Sequence, residues 1–403
     1  MEKFLVLIGA VAGAAATYFG IYRGLIVRKK WKIDRSVIQF IRTRKFVKEK
    51  RATLRREALK LNLKKSVHLN INDDVPLLAK ETWLPHKPIP LENVELKVEQ
   101  DPGVKISLSS QKLPNYAGGK YKKYSKAIDD LDKPDTFDDR NQYRLLRINN
   151  ESLVFSRKMH SYFDKINYGE YLVYELVHHY RKWPWIQGHS NRDLLLKQLQ
   201  EPADYVILCG VNTLTIIHDG KELRIIMHLR GQRKTASSMG TYHVIPAGEF
   251  QPSSKAAASV DEDFDLWKNI MREYAEEIGL MKEFDGNSAV PFNYDIEPII
   301  SLQTERDKNN IRPFYLGTGL DPITFQGEIL TAVVFKEETF NKIFPNVLTE
   351  NHEGMIITDK SRWGRQFTQK EYESYRENNT IAAGETILNI AWSNIQFFKE
   401  CFH

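Results

Sequence analysis

The chain has 403 residues, a formal net charge of +6 and a hydrophobic fraction of 42%. That length allows two or three domains, and the apolar fraction is sufficient for packed cores. The two cysteines, Cys209 and Cys401, form no CxxC pattern. This excludes a disulfide framework and a cysteine-based zinc site, and it fits a reducing compartment.

An apolar run opens the chain between residues 4 and 26, and its first part, Phe4 to Tyr22, carries no charge over 19 residues. As a helix that part would cross about 30 Å of hydrocarbon, so the sequence predicts a single transmembrane helix at residues 1–27. Positive charge follows the run, which disfavours the alternative of a cleaved signal peptide. The same charge predicts a single-pass membrane protein with its N-terminus outside and its body cytoplasmic, as in a bacterial inner membrane.

Two glycines within this run, Gly9 and Gly13, form a GxxxG motif. That spacing permits close contact between two membrane helices, so it predicts a homo-oligomer. The alternative is a chance match, because the run is rich in Ala and Gly.

Positive charge is concentrated directly after the run. Residues 28–65 contain 16 Lys or Arg and 3 Asp or Glu, a net charge of +13. We therefore expect a basic juxtamembrane helix at residues 28–66 that lies against anionic membrane lipid. Two alternatives stay open, a solvated connecting helix and a nucleic-acid-binding segment, although an adjacent membrane span already accounts for the charge.

Residues 67–200 are expected to form a linker followed by an accessory α+β region. Prolines are frequent between residues 70 and 99, which indicates short extended pieces. His178 and His179 are adjacent, so on a helix they point to different sides and make a poor metal pair. The chain contains no P-loop, no GxSxG and no GxGxxG pattern.

Three carboxylates in one short stretch point to chemistry. Glu273, Glu276 and Glu277 stand at positions i, i+3 and i+4, which share one face of a helix. Carboxylates crowded in this way repel each other unless a cation neutralises them, and Mg²⁺ is the oxygen-seeking cation that fits best. Arg272 lies four residues before Glu276 and can pair with it.

The run REYAEEIGL, from Arg272 to Leu280, is similar to the second half of the Nudix box, R-E-U-x-E-E-x-G-U, where U is aliphatic. Tyr274 stands at one aliphatic position. The preceding Pro-Ala-Gly, which ends at Gly248, resembles the loop that opens that box. The family places this glycine closer to the arginine than the 24 residues found here. The glutamate stripe is thus kept, while the loop before it is remodelled.

The resemblance implies an α/β fold, with residues 201–403 as a Nudix-like α/β/α sandwich around a mixed sheet. It also implies that Glu273, Glu276 and Glu277, with the carbonyl of Ala247, bind Mg²⁺ or alternatively Mn²⁺. Glu273 and Glu277 would be the catalytic residues that act on water.

Other residues receive supporting roles from the same resemblance. Arg272, Gly248 and Gly279 would hold the loop–helix–loop together. Arg230 and Arg233 would meet a second phosphate, with solvated hairpin charge as the alternative. A further carboxylate outside the box is expected, and the sequence does not choose among its candidates, which are Glu305, Glu328 and Glu353.

Two functions stay open at this point. One is a Mg²⁺-dependent hydrolase that cleaves a nucleoside diphosphate linked to another group. The other is a membrane-anchored effector whose Nudix-like domain binds a nucleotide signal, such as a cyclic oligonucleotide, and acts through its transmembrane helix. The domain order resembles the transmembrane–Nudix effectors of CBASS, the bacterial cyclic-oligonucleotide antiphage systems. Because a hydrolase of soluble nucleotides needs no membrane span, the sequence favours the effector.

Overall fold

The computed structural model describes residues 35–402 apart from residues 110, 117–118, 135–136, 183–189, 231–239, 282–285, 287, 352–353 and 360–361. The predicted span, with Gly9 and Gly13, lies outside the described residues. No helix within them is both long and apolar enough to cross a bilayer. Within the described residues the expectation of a transmembrane helix attached to the domain is therefore wrong, and the single-pass localisation has no support there. The resemblance to transmembrane–Nudix effectors loses its basis with it.

The described helices and strands alternate along the chain. The α-helices are α1 (Arg35–Lys65), α2 (Tyr124–Leu131), α3 (Tyr162–Lys165), α4 (Tyr171–Lys182), α5 (Asn191–Gln198), α6 (Ala257–Glu262), α7 (Leu266–Glu277), α8 (Ile299–Asp307), α9 (Glu337–Ile343), α10 (Gln369–Glu377), α11 (Ala382–Ser393) and α12 (Ile395–Lys399). The strands are β1 (Ile89–Pro90), β2 (Glu95–Glu99), β3 (Asn115–Tyr116), β4 (Gly119–Lys120), β5 (Asn141–Gln142), β6 (Leu145–Asn149), β7 (Ser152–Ser156), β8 (His160–Ser161), β9 (Cys209–His218), β10 (Leu223–Ile225), β11 (Met227–Arg230), β12 (Tyr242–Val244), β13 (Ala247–Glu249), β14 (Ile311–Leu320), β15 (Gly327–Lys336), β16 (Gly354–Ile357) and β17 (Arg365–Gln366).

The main sheet has seven strands and is mixed. Its order is β1-β14-β15-β9-β10-β17, and β13 also pairs with β9. Strands β15 and β9 run parallel, while the other pairs are antiparallel. The Asp219–Gly220 turn joins β9 to β10, and Gly220 has a φ of +94°, which a residue without a Cβ adopts most easily. Strand β13, through its pairing with β9, lies beside the centre of the sheet.

Helices cover both faces of this sheet. Along β15, Ile329 and Val333 belong to one hydrophobic cluster, whereas Leu330 and Val334 belong to the other. This alternation follows from the two-residue period of a strand. The first cluster includes the apolar side of α7 and the second includes that of α11. The result is a three-layered arrangement with α7 packed over β9 and β13.

The basic helix α1 packs on the rest of the chain. Arg44 is 5% exposed, and the pKa of its guanidinium is raised because Tyr124 and Asp132 together outweigh the lowering effect of burial. Lipid contact by the exposed basic residues of α1 stays a prediction. Ion pairs tie the helix to distant segments: Arg44 and Lys48 to Asp132, Arg51 to Glu170, Arg55 to Glu385, and Lys65 to Asp193.

The hydrophobic core runs across the boundary predicted at residue 200. Tyr143 and Phe155 come from the accessory region, and Phe250 and Phe264 come from the predicted Nudix-like domain. The rings of Phe155 and Phe250 lie 5.2 Å apart, and those of Tyr143 and Phe264 lie 5.0 Å apart. These aromatic contacts fix the accessory region against the segment that precedes α7.

Candidate functional site

Helix α7 carries the three glutamates of the predicted stripe. Asp265 caps its first turn, because its Oδ1 accepts a hydrogen bond from the amide of Lys268 at 2.9 Å. The buried side of the helix includes Tyr274, at the position where the Nudix pattern has an aliphatic residue. Its hydroxyl lies 2.8 Å from that of Thr215, whose own proton goes to the carbonyl of Ile245. Tyrosine is tolerated there because its buried hydroxyl has a partner.

A glycine, Gly279, follows the end of the helix for a steric reason. The amide of Gly279 donates to the carbonyl of Tyr274 at 2.8 Å. A Cβ on Gly279 would stand 2.7 Å from the carbonyl oxygen of Ala275, closer than any side chain allows. The next residue, Leu280, has a φ of +54°. This tight end sets the direction of Glu277, the last residue of α7.

The helix and the preceding loop meet at two neighbouring residues. The amide of Ala247 donates to Oε1 of Glu277 at 3.0 Å. A Cβ on Gly248 would stand 2.0 Å from Oε1 of Glu273, so this carboxylate lies directly over the Gly248 backbone. The two predicted catalytic glutamates are therefore brought to the same loop, although Gly248 and Arg272 are far apart in sequence.

The site opens into a cavity of about 540 Å³. All three predicted metal ligands of α7 line it, Glu273, Glu276 and Glu277, together with Arg230. Glu277 is 3% exposed. The other predicted phosphate ligand, Arg233, lies outside the described residues.

Among the three candidates for a further carboxylate, Glu328 lines this cavity. A Cβ added to Gly210 would stand 3.2 Å from Oε2 of Glu328 and 3.6 Å from the carbonyl oxygen of Gly248. Glu328 therefore lies near the loop that contains Gly248. Glu305, on α8, does not line the cavity and accepts hydrogen bonds from Asn310 and Lys308. Glu353 lies outside the described residues.

A buried amide positions Glu328. Asn212 on β9 donates from Nδ2 to Oε2 of Glu328 at 2.7 Å, and its Oδ1 accepts from Nε2 of His243 at 2.9 Å. Burial, with the charges of Arg230 and His228, lowers the pKa of His243 well below its usual value, so its ring is neutral. The chain His243–Asn212–Glu328 therefore has one direction of donation, towards the carboxylate.

A lysine outside the predicted domain also reaches the loop. Lys165 Nζ lies 2.6 Å from both carboxylate oxygens of Glu249, the residue after Gly248. Sequence reasoning did not select Lys165, Glu249, Asn212 or His243. Glu249 and His243 flank the Pro-Ala-Gly loop and therefore have a nearby signal. Asn212 and Lys165 come from a distant strand and a distant helix.

Arg272 anchors the insert that separates the loop from α7. Its guanidinium donates to the hydroxyl of Tyr294 and, at 2.9 Å, to the carbonyl of Gln251. Asp263 lies 3.6 Å from the same guanidinium and accepts from Tyr294 at 2.6 Å. Arg272 and Asp263 are 4% and 2% exposed. They form a buried polar cluster that holds the two ends of the insert, Gln251 and Asp263, against the helix.

The donor set fits a hard divalent cation. Carboxylates of α7 and β15 and the carbonyl of Ala247, the ligand expected from the sequence, are all oxygen donors, the type that Mg²⁺ prefers. Among the described residues, however, no three Asp, Glu, His or Cys side chains converge closely enough to hold an ion unaided. Mg²⁺ commonly uses one or two carboxylates and completes its shell with water and substrate phosphate, which matches Glu273 at Gly248.

Comparison with known proteins adds little to this geometry. No family model and no curated protein matches the chain. Among solved structures, the chain is similar to one described as the crystal structure of a NUDIX hydrolase from Alicyclobacillus acidocaldarius, with 16% sequence identity and a TM-score of 0.26. The match covers 48% of this chain and 95% of that chain. A TM-score this low does not establish a shared fold, so the interpretation rests on the site.

Proposed function

We propose that this chain is a Mg²⁺-dependent hydrolase that cleaves the diphosphate linkage of a nucleoside diphosphate joined to another group. The observation that supports it is the meeting of Glu273 with the Gly248 backbone, beside Glu277 and its bond to Ala247. This arrangement puts oxygen donors from a loop and a helix into one cavity, which is what a metal bound against two phosphates requires.

Each cavity carboxylate has a distinct role in this proposal. Glu277 fixes the loop through Ala247. Its negative charge, with those of Glu273 and Glu276, would act on the cation. Bound Mg²⁺ would neutralise phosphate charge and lower the pKa of water. Glu328 lies beside that point, and burial raises its pKa to about 7. A carboxylate in that range is suited to accept a proton from water near neutral pH.

The test uses the full-length chain, Mg²⁺ and ADP-ribose together with other nucleoside diphosphate derivatives. Turnover in the wild type, abolished in Glu277→Gln, supports the proposal. Glutamine keeps an oxygen to accept from Ala247 and removes only the charge. Glu305→Gln is the matched control, since Glu305 is also a buried glutamate (6% exposed) but does not line the cavity. Equal loss in both variants would contradict the assignment.

A second candidate is a domain that binds a nucleotide signal without cleaving it. It is favoured by the remodelled loop and by the lack of three converging metal ligands among the described residues. The same assay separates the two: tight binding of a nucleotide or a cyclic oligonucleotide with no product would leave only this candidate.

A further inference from the structure

The cavity extends beyond the glutamates, and part of its wall comes from outside residues 201–403. Its volume of about 540 Å³ lies within the range of sites that enclose whole organic ligands, and a diphosphate alone is much smaller. Helix α1 contributes Arg51 and Arg55 to the lining. The accessory region contributes an apolar group, called the accessory wall here, which consists of Ile128, Pro134, Phe137, Tyr162 and Ile166.

Tyr162 is linked to the carboxylate side of the cavity through its own helix. Tyr162 and Lys165 stand at i and i+3 on α3, so they are neighbours on one face. Lys165 holds Glu249, which directly follows Gly248. The aromatic ring of Tyr162 therefore lies about one helical turn from Lys165, the residue that binds Glu249 in the loop next to Gly248.

The chemistry of Tyr162 suits a planar ligand. Its side chain is half-buried and lines the cavity. Burial, and then the charge of Glu249, raises its pKa to about 12, so the hydroxyl stays protonated and can donate a hydrogen bond. Stacking on an aromatic ring accepts any nucleobase, because every base has a π-face. Asp138, which also lines the cavity, is an acceptor for sugar hydroxyls.

We propose that the accessory wall binds the nucleoside of the substrate, with its base against the ring of Tyr162 and its diphosphate beside Glu273 and Gly248. This inference rests on the proposed function and goes beyond it, because it places substrate recognition in residues 67–200. Under it, the accessory region and α1 complete the site rather than only supporting the sheet.

The test measures binding to the full-length chain by calorimetry in the presence of Mg²⁺. Two probes that resist hydrolysis are compared: methylenediphosphonate, which is the diphosphate alone, and α,β-methylene-ADP. We expect the nucleotide to bind at least about tenfold more tightly. Tyr162→Ala should lower its affinity about tenfold and leave methylenediphosphonate unchanged, while Tyr162→Phe should keep most of the affinity.

Tyr168→Ala is the matched control. Tyr168 is a half-buried tyrosine of the same segment whose ring meets Tyr205 edge-on and does not line the cavity. Equal affinities of the two probes for the wild type would overturn the inference and leave the hydrolase standing. A parallel loss of both probes in Tyr162→Ala would also overturn it, because the ring would then serve only folding. If neither probe binds the wild type, the result contradicts the proposed function and overturns the inference with it.

Discussion

The carboxylate of Glu273 occupies the space that a side chain on Gly248 would need. A methyl group there would stand 2.0 Å from Oε1 and 2.1 Å from Cδ of Glu273. Such a contact is impossible unless the flexible side chain of Glu273 turns away or the loop moves. A glycine at this position therefore permits the close approach of the glutamate, independently of any bound ion.

Gly248→Ala is expected to lower the free energy of unfolding by about 1–3 kcal/mol, the usual effect of overpacking, and to weaken Mg²⁺ binding. Chemical denaturation and calorimetry measure the two effects. In the double variant Gly248→Ala/Glu273→Ala the clash is removed, so stability should recover while Mg²⁺ binding does not. Full recovery of Mg²⁺ binding would show that Glu273 is not a ligand.

Arg272 and Asp263 should be strongly coupled in stability. Removing one partner leaves a buried charge, so Asp263→Ala is expected to cost about 3–5 kcal/mol. The insert should then become a substrate for limited proteolysis between residues 251 and 263. A control is Asp261→Ala on α6, an exposed carboxylate of the same segment. Equal proteolysis in both variants would contradict the anchoring role of Arg272.

Glu328 should make stability depend on pH. Its pKa is raised from 4.5 to about 7 by burial, and the other groups that act on it are Lys165, Asp321, Asn212 and Glu249. Between these values the folded protein binds one more proton than the unfolded chain, so the free energy of unfolding falls as the pH rises through this window. The glutamine in Glu328→Gln does not titrate, so its contribution to stability does not change in this pH window.

The melting temperature, measured with a chelator at about pH 5 and about pH 8, checks this directly. The advantage of Glu328→Gln over the wild type should be larger at the higher pH. Glutamine keeps an oxygen that accepts from Asn212, so the hydrogen bond is matched. If the difference in melting temperature between Glu328→Gln and the wild type is the same at both pH values, the pKa of Glu328 is near that of an exposed glutamate and the prediction is wrong.

Helix α1 should contribute to stability through Arg51. Its guanidinium donates to both oxygens of Glu170, at 3.0 and 2.7 Å, and both side chains are largely buried. Arg51→Met is expected to cost about 2 kcal/mol, because Glu170 is left without its partner. The double variant Arg51→Met/Glu170→Gln should cost less than the single one. A purely additive result in denaturant titrations would rule out this coupling.

The helix that carries the three glutamates could be predicted from the sequence, because its signal is local. Glu273, Glu276 and Glu277 share a helix face by their spacing alone, and a helix there needs no distant contact to be recognised. Tyr274, which departs from the aliphatic pattern, is accommodated by Thr215, a residue on β9 that no local pattern could select.

The rest of the site comes from long-range packing, which periodicity does not encode. Asn212 meets Glu328 only because β9 and β15 lie side by side in the sheet. His243, on β12, is linked to Glu328 only through Asn212. Lys165 belongs to a region predicted as accessory. Several basic residues of α1 pair with carboxylates of the same chain, which the charge pattern of the sequence does not reveal. Contact of the exposed ones with lipid stays a prediction.

The aromatic cluster of Tyr143, Phe155, Phe250 and Phe264 has a consequence for how the protein can be divided. A fragment that starts at residue 201 would expose the inner faces of Phe250 and Phe264 to water, since their partners are upstream. Such a fragment would carry an exposed apolar patch and should self-associate. Residues 67–402 are therefore expected to melt in a single cooperative transition, as one folding unit.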